Sequence, residues 1–115
     1  MESSFRRLAA YQRSVRLADE VYAAVATWGS VDRWSLGVQL LRSVDSIGAN
    51  IAEGAGRVRP ADRRRFFVIA RGSLFETEHW LARAKARDLT SHAYGDELSD
   101  IARALSGLIK NPGPS

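Results

Sequence analysis

The spacing of apolar residues constrains the fold more than any other feature, because it repeats every three or four positions in four separate segments. In one segment the repeat is Leu36, Leu40, Val44, Ile47 and Ile51. Such spacing puts side chains on one face of an α-helix, and no segment shows the strict alternation of a strand. The periodicity predicts an all-α fold with helices over about residues 5–28, 32–53, 60–87 and 91–110.

Residues that end or begin helices separate these segments. We expect Gly29 to end the first helix, Pro60 to begin the third, Thr90 or Ser91 to cap the fourth, and Pro112 to help stop it. Four long helices with short connections predict an antiparallel up-down-up-down four-helix bundle. A chain of 115 residues with 45% hydrophobic content fits one domain over residues 1–115.

Composition narrows the cellular setting. The chain has no cysteine, which excludes disulfides and thiolate chemistry and suits a reducing cytoplasm. Neither a signal-peptide pattern nor an apolar run of about 18 residues is present, so we expect a cytoplasmic protein without a membrane span.

The chain is basic, with a formal net charge of +4 and a pI of about 10.1. Of its seventeen basic residues, fifteen are arginine. GC-rich coding bias is the simplest explanation of this preference, while paired binding of phosphates or carboxylates by arginine is the functional one.

The first and third helices carry more apolar surface than one bundle seam requires. The first helix has an expected core stripe of Leu8, Tyr11, Val15, Ala18, Tyr22 and Val25. The surplus side chains are interpreted either as parts of a thick core or as an oligomer interface. The candidate interface residues are Leu17, Val21, Trp28, Phe66, Ile69, Phe75 and Trp80.

The stretch SIGANIAEGAGR (46–57) raises the question of a phosphate loop. The glycine spacing lacks the lysine and hydroxyl residue of a P-loop, and these glycines close a helix instead of opening one. We therefore interpret the stretch as a helix end, where Gly54 and Gly56 supply left-handed or loop conformations.

A polar stripe runs through the same helix and is either solvated or part of a semi-buried network with the third helix. The network would fix helix register, since buried polar groups are costly unless they are paired. Its candidate residues are Arg42, Ser46, Asn50, Glu53, Arg71, Ser73 and Glu76.

The chain offers no constellation of residues typical of catalysis. Glu76 and His79 have the spacing of a di-metal bundle ligand pair, but such centres need two copies and this pair occurs once. We therefore predict a non-enzyme with no cofactor, no metal and no identified small-molecule substrate.

The strongest functional signal is a basic cluster that faces one acidic residue, Asp62. We predict that it binds RNA, DNA or a nucleoprotein partner, because basic patches are the electrostatic footprint of nucleic-acid binding. The alternative is a solvated charge run that pairs across subunits with Asp96, Glu97 and Asp100. The candidate nucleic-acid-binding residues are Arg57, Arg59, Arg63, Arg64 and Arg65.

The runs LRSVDSIGANIAEGAGR (41–57) and RRRFFVIARGSLFETEHWL (63–81) carry a family resemblance. They resemble the four-helix-bundle proteins encoded in intervening sequences of bacterial large-subunit ribosomal RNA genes. Small departures are Ser43 where alanine is usual, Thr77 where leucine is common, and Arg59 before Pro60. The matching residues are Arg42, Ser46, Ile47, Asn50, Ile51, Ala52, Glu53, Gly54, Gly56, Arg57, Phe67, Arg71, Gly72, Ser73, Leu74, Glu76, Glu78 and Leu81.

This resemblance implies a cytosolic bundle that assembles into a ring, with five subunits favoured. It also implies a likeness to the accessory proteins of diversity-generating retroelements, which are basic bundles that bind nucleic acid. A second function stays open at this stage, namely a scaffold ring that binds another protein and has no nucleic-acid role.

Overall fold

Four long helices make up most of the chain, as the apolar periodicity predicts. The computed structural model describes residues 4–92 and 94–114. Its long helices are α1 (Ala9–Val25), α2 (Leu36–Ala55), α3 (Pro60–Ala86) and α4 (Gly95–Lys110). A 3-10 turn over Ser4–Arg7 precedes α1, and a single helical turn over Ser30–Arg33 precedes α2. The described residues contain no strand, which confirms the all-α class.

The helices pack side by side around one apolar core. Helix α2 lies against α1 and α3, and α4 lies against the same two helices. None of the helices in the described part of the chain is long and apolar enough to cross a membrane. The largest fully buried apolar side chains are Leu17, Val21, Val25, Leu40, Val44, Ile47, Ile51, Phe67, Ile101 and Leu105.

Helix α1 is shorter than the predicted span of 5–28. It begins at Ala9, after the 3-10 turn, and ends at Val25. The Thr27 hydroxyl donates to the Ala24 carbonyl over 2.7 Å, which supplies a local alternative to helical hydrogen bonding. Turns then bring the Trp28 side chain back into the core, where it is 7% exposed.

The predicted second helix is broken at Ser35. The Ser35 hydroxyl donates to the Val31 carbonyl over 2.6 Å, and its backbone leaves the helical region with φ −117 and ψ −88. The break separates the short turn from α2, which begins at Leu36. It also leaves Trp34 in the connection, 71% exposed.

Helix α4 begins later than predicted. Thr90 and Ser91 do not cap it, because the Thr90 hydroxyl is engaged with the backbone of His92 in a local turn. The residue before the helix is Tyr94, in a left-handed conformation with φ 55. Helix α3 begins at Pro60 and ends at Ala86, close to its predicted bounds.

The buried face of α1 differs from the predicted stripe. Val15 and Tyr22 are 37% and 65% exposed, whereas Leu17 and Val21 are each 1% exposed. The face of α1 that contacts α2 and α4 takes residues from both of its apolar stripes, because Ala18 and Val25 of the predicted stripe are buried as well. Leu17, Val21 and Trp28 are therefore core residues of the single chain and cannot form an exposed oligomer interface.

Candidate nucleic-acid interface

The predicted binding residues lie where α2 ends and α3 begins, and Gly54 sets the approach of these helices. A Cβ atom on Gly54 would lie 2.8 Å from Phe67 Cε1 and 3.0 Å from Phe66 Cβ. Gly54 is within α2, so its predicted left-handed or loop role is wrong. Gly56 lies in the turn that ends α2, as predicted, but with a right-handed φ of −83. Because Gly54 has no side chain, α2 can lie in close contact with the start of α3 at this position.

Two of the predicted arginines stack on one aromatic ring. The Cζ atoms of Arg57 and Arg65 each lie 4.7 Å from the centroid of the Phe66 ring. Stacking orients a guanidinium while its N–H groups, which lie in its plane, stay free to bind oxygen atoms. Phe66 is half-buried and forms the base of this arrangement, a role that the interface prediction for Phe66 did not include.

The charges near this stack are only partly compensated. Arg57 donates to Glu53 over 3.1 Å in an exposed ion pair one turn apart. Arg59 is exposed just before α3, and its side chain has neither a hydrogen bond nor an ion pair with any described residue. Arg65 is also exposed, and its described contact is the Phe66 ring. Arg57, Arg59 and Arg65 therefore form an accessible cationic surface, the stacked-arginine surface.

Arg63 is occupied by backbone carbonyl groups. It donates from Nη1 to the carbonyls of Arg57 and Val58 over 2.8 and 2.6 Å. It also donates from Nε to Pro112 over 2.7 Å and from Nη2 to Gly113 over 2.9 Å and to Pro114. In this conformation the Arg63 guanidinium joins separate segments of the chain, so this candidate binding residue is not open to a phosphate.

Arg64 is also partly engaged within the chain. Its Nε donates to the Ile109 carbonyl over 2.9 Å, in the last turn of α4. A cation is favourable beside a helix C-terminus, where the carbonyl ends of the helix carry partial negative charge. Arg63 and Arg64 thus find acceptors on other segments, which offsets their unfavourable position near the start of α3.

Two arginines that sequence reasoning missed precede α1. Arg6 stacks over Phe5 at 5.0 Å, and Arg7 is its neighbour. The next residue, Leu8, lines the same cavity as Arg63 and Pro112, so the N-terminal turn approaches the end of the molecule that carries the basic cluster. The pair RR at positions 6 and 7 was the available signal, but its position in space depends on the fold.

Hydroxyl groups join α2 to α3 in a part of the predicted polar network, and the Asn50 amide binds one of them from within α2. The Ser46 and Ser73 hydroxyls are 2.9 Å apart, and Asn50 donates to the Ser46 hydroxyl over 3.0 Å. A turn away, the buried Thr77 hydroxyl donates to the Ser43 hydroxyl over 3.0 Å. Ser43 and Thr77 were not among the predicted network residues, since the spacing of Thr77 makes it a member of the apolar stripe.

The charged members predicted for this network lie outside it. Glu53 pairs with Arg57, and Glu76 accepts a hydrogen bond from Trp80 Nε1 over 3.2 Å. Arg42 is exposed and Arg71 is half-buried, and neither side chain has a hydrogen bond to a described network residue. The helices are joined by neutral polar groups, which avoids the desolvation cost of buried charge.

Exposed apolar side chains occur on two parts of the surface. On α3, Ile69 and Phe75 are 43% and 57% exposed, as expected for interface candidates, while Trp80 is half-buried. The second part was not predicted and includes Trp34 and Tyr22. It forms a groove, the Trp34 groove, lined by Tyr22, Val25, Ala26, Arg33, Trp34, Val38 and Leu41.

Two of the three acidic residues of α4 have partners within the same chain. Asp100 accepts from Arg13 over 3.1 Å and from Arg103 over 3.4 Å. Glu97 lies 2.9 Å from His92, whose hydrogen bond lowers the pKa of the Glu97 carboxyl. These contacts argue against Glu97 and Asp100 as partners reserved for the basic cluster of another subunit.

Ionisable groups elsewhere form no evident metal centre. Burial raises the pKa of Tyr94, and the neighbouring carboxylates of Glu20 and Glu97 raise it further. Across residues 4–92 and 94–114, no three His, Asp or Glu side chains are grouped so that they could hold a metal ion.

Comparison with known proteins identifies the family. The model of the 23S rRNA-intervening sequence protein family matches residues 6–111. The chain also resembles the crystal structure of a protein of unknown function from the S23 ribosomal protein family of Bacteroides thetaiotaomicron VPI-5482. The two share 26% identity over 90% of this chain and 100% of the other, with a TM-score of 0.78. No curated protein matches the chain. Because the family model spans nearly its full length, this chain belongs to the 23S rRNA-intervening sequence protein family.

Proposed function

We propose that this chain is a non-enzymatic helical-bundle protein that binds RNA phosphates through the stacked-arginine surface. The observation that carries the proposal is the pair of guanidinium groups on Phe66, 4.7 Å from the ring in each case, beside the unpaired Arg59. The three arginines of this surface lie at one helix junction, and among the described residues only Glu53 forms an ion pair with them. This excess of positive charge favours a polyanion as the binding partner.

Family membership supports RNA as the first polyanion to test, because the family name refers to intervening sequences of 23S rRNA. The resemblance to accessory proteins of diversity-generating retroelements adds an expectation of nucleic-acid binding. We expect contacts to phosphates instead of base edges, since the surface presents arginine side chains without a groove-reading element. Binding should therefore depend strongly on salt and weakly on sequence.

The salt dependence of RNA binding sets the size of the effect that we expect from each arginine. Each phosphate contact on a single strand contributes about 0.7 to the slope of log affinity against log salt, so three arginines predict a slope of about −2. Replacement of Arg59 and Arg65 by glutamine removes two contacts. The slope should then become shallower, from about −2 to about −0.7, and the affinity for RNA at about 0.1 M salt should decrease about 25-fold.

The experiment is filter binding of a single-stranded RNA oligonucleotide at several salt concentrations. The test variant is Arg59→Gln/Arg65→Gln, and the matched control is Arg13→Gln/Arg103→Gln. The control removes the same formal charge from exposed arginines that already pair with Asp100. The proposal predicts a large loss for the test variant and a small loss for the control. Equal losses, or no RNA binding by the parent chain, would refute it.

A second candidate function is a scaffold ring that binds another protein without a nucleic-acid role. Two separate exposed apolar areas support self-association, the Trp34 groove and the α3 surface around Phe75. A ring requires two different surfaces on each subunit, because the contacts are head to tail. We propose such a ring, with five subunits favoured by the family resemblance.

Sedimentation of full-length variants tests this assembly. Trp34→Gln and Phe75→Gln should each shift the protein toward smaller species, because either change weakens a head-to-tail contact. Val58→Gln is the matched control, since Val58 is 80% exposed and lies outside both areas. An unchanged distribution for both test variants would exclude these surfaces, and a parent chain that sediments as a monomer would exclude the ring.

We also propose that the helices alternate up-down-up-down within a single domain. The short connections and the contacts between helices adjacent in sequence support this order. We expect the protein to act in the cytoplasm, in keeping with its lack of cysteine.

A further inference from the structure

The segment Pro112, Gly113 and Pro114, which we call the C-terminal strap, is attached to the bundle through one side chain. All three of its carbonyl groups accept hydrogen bonds from Arg63. The two prolines have no N–H to donate, and the Gly113 N–H donates within the tail, to Asn111 Oδ1 over 3.4 Å. Within the described residues, Arg63 supplies every hydrogen bond between the strap and the helices.

The strap lies over an apolar recess at the end of the bundle. Leu8, Ala55, Phe67 and Leu108 line this recess together with Arg63 and the strap itself. The same guanidinium also holds the carbonyls of Arg57 and Val58, at the connection between α2 and α3. Arg63 therefore links the strap directly to the segment that carries the stacked-arginine surface.

The partners of Arg63 are all neutral. Five carbonyl groups satisfy its N–H donors, but no carboxylate of the described residues forms an ion pair with it. Hydrogen bonds between a guanidinium and a phosphate have charge on both sides and are roughly twice as strong as neutral ones. A phosphate is thus a competitive replacement for the strap carbonyls, and the nearby arginines increase its local concentration.

We infer that the C-terminal strap is an autoinhibitory contact that withholds Arg63 from the RNA-binding surface. When the strap opens, Nε and Nη2 become available to RNA phosphates, while the contacts of Nη1 to the α2–α3 connection remain. The released state has one more phosphate contact than the closed state. This inference rests on the proposed RNA-binding function, and it adds a regulatory step to it.

A single substitution in the full-length chain can open the strap. Gly113 has a φ of +100, which residues with side chains rarely adopt, so a substitution strains the backbone even though a Cβ there would lie at an ordinary contact distance of 3.6 Å from Arg63 Nη2. Gly113→Val should therefore detach the strap while Arg63 stays in place. Gly107→Ala is the control, because a Cβ at exposed Gly107 in α4 meets nothing within 4 Å.

Release is measured first, by NMR, as exchange with water of the Arg63 Nε–H, because this group donates to the Pro112 carbonyl over 2.7 Å. Exchange of this N–H should be faster in Gly113→Val than in the parent and the control. RNA binding is then measured with a single-stranded oligonucleotide. One added phosphate contact predicts an affinity about fivefold higher at about 0.1 M salt, with the salt slope steeper by about 0.7. Arg63→Gln in the Gly113→Val background should abolish both increases.

The outcomes separate the inference from the proposed function. If the parent binds RNA and Gly113→Val releases the strap without a change in affinity, the strap is a structural contact only. A gain that persists in the Gly113→Val/Arg63→Gln variant also overturns the inference. If the parent fails to bind but Gly113→Val binds through Arg63, the inference stands and the proposed function of the closed state fails. Failure of both the parent and Gly113→Val to bind RNA overturns both.

Discussion

Gly54→Ala tests whether close helix contact positions the stacked-arginine surface. The substitution adds one methyl group inside α2, directly against the aromatic pair at the start of α3. That methyl carbon would lie 2.8 Å from Phe67 Cε1, a separation that real Cβ atoms essentially never show. Phe67 is 2% exposed, so its ring has little room to move. Relief of the contact requires the helices themselves to separate.

Helix propensity and overpacking have opposite effects on the free energy of unfolding of Gly54→Ala. Alanine is favoured over glycine in a helix by about 1 kcal/mol. Overpacking of a core costs about 1–3 kcal/mol, and the short contact with a buried ring favours the upper end. The expected net loss in the free energy of unfolding is therefore about 2 kcal/mol. Gly72→Ala is the matched control, because a Cβ at Gly72 in α3 meets nothing within 4 Å and should stabilise the protein by about 1 kcal/mol.

The assay is thermal unfolding of the parent and the two variants at one protein concentration, since self-association makes Tm depend on concentration. At about 4 °C per kcal/mol for a chain of this size, Tm should fall by about 8 °C in Gly54→Ala and rise by about 4 °C in Gly72→Ala. If Gly54→Ala were as stable as Gly72→Ala, α2 and α3 would not be in the close contact described, and the reasoning would fail.

Three further predictions concern the core and an ionisable group. Thr77→Val keeps the side-chain shape but removes the hydroxyl proton that the Ser43 hydroxyl and the Ser73 carbonyl share, so denaturant unfolding should show a loss of about 1–2 kcal/mol in the free energy of unfolding, against less than about 0.5 for the exposed Thr27→Val. Leu17→Ala should lower the free energy of unfolding by about 2–5 kcal/mol, and the exposed Val31→Ala by less than about 0.5, in the same denaturant assay. The reverse order would contradict the buried face of α1. Burial raises the pKa of Tyr94 above its ordinary 10.0, so its contribution to stability is complete below pH 10 and declines as pH rises through the folded pKa. Tyr94→Phe should lose less stability between about pH 9 and 11 than the parent, and identical pH profiles would contradict the shift.

The sequence was sufficient to predict the class of fold and the core of α2. That helix has one apolar stripe, and its residues Leu40, Val44, Ile47 and Ile51 are fully buried. Helix α1 has two neighbouring stripes, and the choice between them depends on where α2 and α4 lie. Periodicity alone cannot make that choice, which is why it predicts Val15 and Tyr22 to be core residues.

The presence of a basic cluster at the candidate site was predictable, but the positions and contacts of its individual arginines were not. The sequence shows five arginines near the start of α3, yet only contacts across the fold distinguish their roles. Arg63 binds carbonyls about fifty positions away, and Arg64 binds the last turn of α4. Hydroxyl pairs such as Ser43 and Thr77 also depend on contacts between distant segments, which spacing within one helix cannot reveal.

The central claim is that RNA contacts the stacked-arginine surface, and photo-cross-linking of bound RNA tests it most directly. Mass spectrometry of cross-linked peptides locates the contact without any substitution in the chain. The account predicts cross-links concentrated in residues 57–66, including Phe66, and their loss as salt is raised. Cross-links concentrated instead at the Trp34 groove or around Asp100, or none at low salt, would contradict it.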